Sequence, residues 1–176
     1  VPLIVKRGLF VGRFQPPHLG HIEVIKWCFR HVDELVIVIG SAQESHTLKN
    51  PFTAGERIEM LRLALRDAGI RADKVYLIPV PDIAMNFVWP RYVELFAPRF
   101  QIVFTRNPLV ARLFSEYGYK IVEPPSFSRE EYSATHVREL MLAGNDRWRQ
   151  LVPRSVEKYI DNIKGVERLQ QIAMKD

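Results

Sequence analysis

The chain holds a single cysteine, Cys28, so no disulfide can form within it and the small disulfide-stapled secreted folds are excluded. No apolar run approaches the roughly 18 residues that a membrane helix requires. The longest, Leu35-Val36-Ile37-Val38-Ile39, has the length of a strand, and no membrane partner is expected. The start of the sequence lacks a signal-peptide pattern, which together with the lone cysteine makes the cytoplasm the expected location. Internal repeats, low-complexity tracts and Gly/Ser linkers are absent as well, which leaves an ordinary folded domain. Also missing is any block of like charge. Lys and Arg number 25 against 20 Asp and Glu, a net charge of +5, and the basic residues are scattered. A basic surface attracts polyanions, but no nucleic-acid module is recognisable, and a nucleoside triphosphate accounts equally well for so small an excess. No nucleic-acid partner is expected.

What is present is an alternation of apolar strand-like runs and amphipathic stretches. At 176 residues and 47% hydrophobic content, one domain spanning 1–176 is expected. Its folding should bury roughly 70% of the unfolded surface without a structural metal. The nucleotide-binding core is placed at about 7–143 and a helical C-terminal part at about 146–176. Strands are expected at 8–12, 34–40, 74–79, 100–105 and 119–122. Helices are expected at about 20–31, with Ile22, Ile25, Phe29 and Val32 on one face, and at 53–68, 89–97 and 108–117, with others from near Thr135 and from Pro153. Thr53 with Glu56 has the pattern of a capping box, and Gly69 and Pro108 stand where a helix end and a helix start favour them. Repeated strand–helix–strand units predict an α/β fold, an open parallel sheet with helices on both faces in a Rossmann-like arrangement. Such sheets bind ligands beyond the carboxyl ends of the strands. The loops after Val11, Ile39, Pro79 and Thr105 are therefore the ones expected to carry the site.

The first of these loops reads Gly12-Arg13-Phe14-Gln15-Pro16-Pro17-His18-Leu19-Gly20-His21 and opens a helix. A helix N-terminus offers unpaired N–H groups and partial positive charge, a natural anion site. Imidazoles at His18 and His21 and the Arg13 guanidinium add donors suited to a triphosphate. Neither G-x-x-x-x-G-K-[ST] nor G-x-G-x-x-G occurs. The two histidines could instead share a metal, but zinc needs further ligands, and only His31, His46 and His136 remain, without clustering. No metal held by protein side chains is expected. A second constellation, Tyr132-Ser133-Ala134-Thr135-His136-Val137-Arg138, places two hydroxyls at a helix start with an arginine one turn inside. Alone, it is equally well an ordinary N-capped helix.

The first loop resembles the H-x-G-H signature, with its G-x-F-x-P-x-H lead-in, of the nucleotidyltransferase superfamily. The second resembles that superfamily's I-S-S-T-x-x-R motif, with Tyr132 for the Ile and Ala134 for the second Ser. Over Gly8 to about Leu169 the chain is similar to the archaeal type of nicotinamide-mononucleotide adenylyltransferase. The similarity includes the stretches 40–46, 50–57, 107–110 and 165–168.

The resemblance implies an adenylyltransferase that joins ATP and nicotinamide mononucleotide into NAD and pyrophosphate, in NAD biosynthesis. It further implies an ATP site of Gly12, Arg13, Phe14, Gln15, His18, Gly20, His21, Asn107, Ser133, Thr135 and Arg138. A mononucleotide site would draw on Ser41, Lys49, Asp82, Asn86 and Trp89. Trp89 would stack on the nicotinamide ring, unless it is simply a core aromatic. Lys49 stands where relatives are expected to carry an arginine. Arg106 replaces a small residue, and is read as a solvent-exposed loop arginine. Relatives assemble as oligomers, which makes a homo-oligomer, even a hexamer, the expectation.

The mononucleotide phosphate, already anionic near neutral pH, would attack the α-phosphorus of ATP in line and without a general base. His18, His21, Arg13 and Arg138 are the expected catalytic groups, with Mg²⁺ bound mainly through ATP phosphates. Phosphates nearby are expected to raise both imidazole pKa values. Sibling substrates (pantetheine phosphate, FMN, or an alcohol phosphate with a cytidylyl donor) share these phosphate motifs, and a nucleotide sensor without turnover is a further class. The Asn86/Trp89 loop speaks for the mononucleotide, and the complete set of histidines and arginines speaks for turnover.

Overall fold

Side chains alternate across each strand, and that alternation divides the core in two. In the computed structural model, which describes residues 5–128 and 131–174, the strands are β1 (Arg7–Gly12), β2 (Glu34–Ile39), β3 (Val75–Pro79), β4 (Ile102–Phe104) and β5 (Lys120–Val122). All pairings are parallel, in the order β3-β2-β1-β4-β5. Phe10, Leu35, Ile37, Ile39, Ile102 and Phe104 turn to one face. Leu9, Val36, Val38 and Val103 turn to the other. A strand buried on both faces must be apolar at every position, which is why β2 reads as an unbroken aliphatic run.

The larger cluster lies under α1 (Leu19–Cys28), α2 (Ala54–Asp67), α5 (Ala134–Leu142), α6 (Arg154–Asn162) and α7 (Gly165–Ala173). The smaller lies under α3 (Trp89–Phe96) and α4 (Pro108–Glu116). Helices thus cover both faces, as expected. Among the described residues, no helix is long and apolar enough to cross a membrane. Thr53 and Glu56 close the anticipated capping box, with Glu56 N donating to Thr53 Oγ1 at 3.1 Å and Thr53 N to Glu56 Oε1 at 2.9 Å. The first helix ends at Cys28 rather than His31, because the N–H groups of Arg30 and His31 turn to carbonyls only three residues back, Trp27 O at 3.0 Å and Cys28 O at 2.9 Å. Val32 lies beyond that end but is still buried. Strand β4 is shorter than expected, at three residues.

The chain leaves β1 for β2 on one side, while β4 lies on the other. The carboxyl ends of β1 and β4 therefore flank the switch point, where an open α/β sheet leaves a crevice.

Candidate active site

The loop that leaves β1 is shaped by its own aromatic residue. Phe14 takes a left-handed φ of 53° and tucks its ring into the core. The ring lies over Gly12, where a Cβ would come within 2.8 Å of Phe14 Cζ, so residue 12 must be glycine. The same ring meets His21 at 4.7 Å between centroids.

His18 is the N-cap of α1, and His21 is its third residue. His21 N donates to His18 Nδ1 at 3.3 Å, and His18 N to His21 Nδ1 at 3.1 Å. This is a capping box built from two imidazoles. Because each Nδ1 accepts a hydrogen bond, each neutral ring carries its proton on Nε2 and presents it as a donor. Gly20 between them is a packing necessity. A Cβ there would lie 2.9 Å from His18 Cε1 and 2.9 Å from Tyr132 Cβ.

In the free site burial acts on both imidazoles in the direction opposite to that expected of a neighbouring phosphate. Burial pushes His18 down to about 4. Burial, then the charge of His18, pushes His21 well below the usual range. Charging either ring would cost its hydration and convert its Nδ1 acceptor into a donor facing another donor. Both histidines are neutral donors at physiological pH.

The two imidazoles line a cavity of about 370 Å³. Arg13, Gln15, Gly20, Asn107, Ser133, Thr135 and Arg138 line it too, as does Phe14. Gly12, one residue before Arg13, contributes by seating Phe14. The starts of α1, α4 and α5 meet here, and positive helix ends favour a bound anion. Three arginines, Arg13, Arg106 and Arg138, border the cavity, and no carboxylate does among the described lining residues. Burial, then repulsion from Arg13, lowers the Arg138 pKa. Such a concentration of cations around one cavity calls for a polyanion.

Several expected ligands are partly engaged already. The buried Gln15 amide donates to Phe52 O at 3.0 Å and accepts from Phe52 N at 2.9 Å, so its side chain ties the β1 loop to Phe52. Its carbonyl receives Arg138 Nη1 at 2.8 Å, which draws α5 onto the β1 loop. Asn107 caps α4, its Oδ1 accepting from Leu109 N at 2.9 Å and Val110 N at 3.2 Å. Only its amide N–H groups remain for a ligand. Ser133 caps α5 by accepting from His136 N at 3.0 Å. Arg106 is exposed, as expected, but it is engaged. It donates to Pro124 O at 2.9 Å and lies 3.6 Å from Glu123, because the loop after β5 folds over the end of β4.

The five residues assigned to the mononucleotide do not line this cavity. Their strands, β2 and β3, lie on the far side of β1 from the switch point. The loop after β2, which carries Ser41, is tied to Asp82 through Gln43, which donates to the Asp82 carboxylate at 3.0 Å and accepts from its N–H at 2.9 Å. Lys49 and Asn86 are exposed. Trp89 packs in the smaller core cluster, edge-on to Phe114 at 6.0 Å, and its Nε1 is buried without a partner. The loop after Val122 escaped the sequence reading, yet Pro124, Pro125, Ser126 and Phe127 line the cavity. The signal was available, since β5 must flank β4 and end at the same edge.

A family model described as cytidylyltransferase-like matches residues 9–140. The nicotinamide-nucleotide adenylyltransferase of Saccharolobus solfataricus is 55% identical over 98% of this chain and 99% of its own. That of Pyrococcus horikoshii is 58% identical over 95% and 89%. Among solved structures, a bifunctional NMN adenylyltransferase/ADP ribose pyrophosphatase from Francisella tularensis, complexed with AMP and a Mn ion, superposes with a TM-score of 0.74 at 21% identity. It covers 96% of this chain, which spans 52% of that one. A nicotinic acid mononucleotide adenylyltransferase from Plasmodium falciparum, complexed with APC, gives 0.63 at 13% identity, over 93% and 98%. At those identities the likeness is one of fold. The family match and the near full-length relatives place the chain among the cytidylyltransferase-like nucleotidyltransferases, in the family of the nicotinamide-nucleotide adenylyltransferases.

Proposed function

We propose that the cavity binds ATP and that the enzyme transfers its AMP moiety to the 5′-phosphate of nicotinamide mononucleotide, yielding NAD and pyrophosphate. The observation that carries this reading is the lining itself: neutral histidine donors, three arginines and three helix starts, without an acidic residue among the described lining. A mononucleotide phosphate is already an anionic nucleophile, so the protein has to supply position and charge stabilisation rather than a base. One phosphate oxygen forms the new P–O bond at the α-phosphorus while the bond to pyrophosphate breaks on the opposite side. His21 Nε2–H is assigned to the α-phosphate and His18 Nε2–H to its neighbours. Arg13 and Arg138 take up the charge of the departing pyrophosphate.

The cavity offers the hydroxyls of Ser133 and Thr135 but no carboxylate, a donor set that suits a divalent ion held chiefly by phosphate oxygens. Mg²⁺ in that place would neutralise phosphate charge. On the mononucleotide side, Ser41 and Asp82 belong to loops laced together through Gln43 beside the β1 loop, and Lys49 and Asn86 belong to the exposed parts of the loops after β2 and β3. For Trp89, only partly buried, the ring face remains the proposed contact with the nicotinamide ring.

The test is direct. The protein is incubated with ATP and Mg²⁺ plus nicotinamide mononucleotide, its acid form, FMN or pantetheine phosphate, and pyrophosphate and dinucleotide are followed. Fastest turnover is expected with a pyridine mononucleotide. Turnover with another acceptor alone, or with none, would reject the assignment.

A further inference from the structure

The side chain of Arg57, on α2, is fully buried, at 0% exposure, and has no carboxylate partner among the described residues. All five of its N–H groups go to main-chain carbonyls. Nε donates to Thr53 O at 3.2 Å, Nη1 to Arg13 O and Gly40 O at 2.8 Å each, and Nη2 to Ser41 O at 3.1 Å and Glu44 O at 3.5 Å. A guanidinium is the one side chain that can distribute five donors in a fixed plane.

The acceptors are not scattered. Arg13 belongs to the loop after β1, which carries the phosphate-binding groups. Gly40, Ser41 and Glu44 belong to the loop after β2, on the mononucleotide side. Two residues in left-handed backbone, Phe14 at φ 53° and Ser41 at φ 47°, adjoin the carbonyls that Arg57 holds. Such backbone is unfavourable for a residue with a side chain and persists only where surrounding contacts impose it. The Gly40 N–H adds a bond to Gly12 O at 2.8 Å between the same two loops.

We infer that Arg57 is a positioning residue that fixes the two substrate loops against each other, and so sets the line of attack between the two substrates. It lies behind the cavity lining and touches neither substrate. Its cationic charge also has purpose there, for it adds to the field of Arg13 and Arg138 behind the phosphates. Burial, then the charge of Arg13, lowers its pKa to about 10, which leaves it charged under physiological conditions.

This inference rests on the proposed two-substrate reading, and its test separates the two. Arg57→Lys keeps the charge but gathers three donors at one point, too few and too close together for five carbonyls. Arg57→Lys is compared with Met60→Ala, a core truncation one turn along α2 that removes none of these five hydrogen bonds. Folding is verified by circular dichroism and thermal melts. For Arg57→Lys, kcat is expected to fall about tenfold or more, with KM rising for ATP and for the acceptor together. Met60→Ala is expected to melt earlier with its kinetics intact. Arg57→Lys kinetics within twofold of wild type would overturn the inference. So would a rise in KM for one substrate alone, a matching kinetic loss in Met60→Ala, or failure of Arg57→Lys to fold. If the wild type prefers a different acceptor phosphate, the proposed function fails while the Arg57 comparison is made with that acceptor.

Discussion

The imidazoles of His18 and His21 stack with centroids 3.6 Å apart, and each accepts through Nδ1 the main-chain N–H of the other. The sequence motif is thus at once a helix cap and a pair of donors. The cap fixes the tautomer, and the tautomer aims the chemistry. His21→Ala removes one donor from the α-phosphate, a loss that typically costs about 10²–10³ in rate. It also opens the cap, at a cost of about 1 kcal/mol. Steady-state kinetics are expected to show kcat falling by that factor with a far smaller change in ATP affinity. Wild-type turnover in this variant would remove His21 from the chemistry.

Acidification should act on the same pair. The His18 pKa is about 4 in the fold against an ordinary value of 6.5, so the folded state binds a proton less readily than the unfolded chain. Its contribution to stability is complete above about 6.5 and is lost as pH falls through the window down to about 4. Melting temperature should therefore drop across that range. In His18→Asn, which retains a good N-cap acceptor, the drop should be shallower. Above pH 7 both rings are already neutral in the free enzyme, so kcat/KM for ATP should stay level to about pH 9. A decline through neutrality would show that catalysis depends on a protonated ring.

Gln15 supplies a contrast between a ligand contact and a scaffold contact. Gln15→Ala deletes both bonds to the Phe52 main chain and strands two buried polar groups, at about 1–3 kcal/mol each. A marked fall in melting temperature is expected, while ATP affinity measured well below that temperature changes by less than about tenfold, or 1.4 kcal/mol. Calorimetry and ATP titration separate the two outcomes. A stable protein that has lost ATP binding would restore Gln15 to the ligand shell.

What was legible in the sequence follows from local physics. The run 35–39 is continuous and β-branched, which favours a doubly buried strand, and Thr53 with Glu56 has the spacing of a helix start. The histidine motif was legible because its residues are near neighbours. Contacts across long separations were not. The partner of Gln15 lies 37 residues away, and nothing in the phosphate loop itself announces that bond. The five carbonyls around Arg57 come from three segments, and helical periodicity says nothing of them. Nor does the sequence show the burial that lowers both imidazole pKa values in the free site, because burial depends on how the loop packs. Asn107 was a missed opportunity, since an asparagine immediately before a proline at a helix start is itself a capping signal.

Gly20 allows two effects of opposite sign to be weighed. It is the second residue of α1, and replacing a helical glycine by alanine ordinarily stabilises by about 1 kcal/mol in mid-helix, less at an end. Here the added methyl would lie 2.9 Å from both His18 Cε1 and Tyr132 Cβ, closer than carbon atoms pack. Overpacking of that kind costs about 1–3 kcal/mol, which outweighs the propensity gain. Relief has to come from movement of the His18 ring or of the chain at Tyr132, just before the α5 cap. Either shift displaces a phosphate donor, and misplacement by about 1 Å can cost about 10²-fold in rate. Gly20→Ala is accordingly expected to fold, to melt below the wild type, and to lose at least tenfold in kcat. A variant that melts higher and turns over normally would show that the glycine is there for chain flexibility and that the close approach to His18 is immaterial.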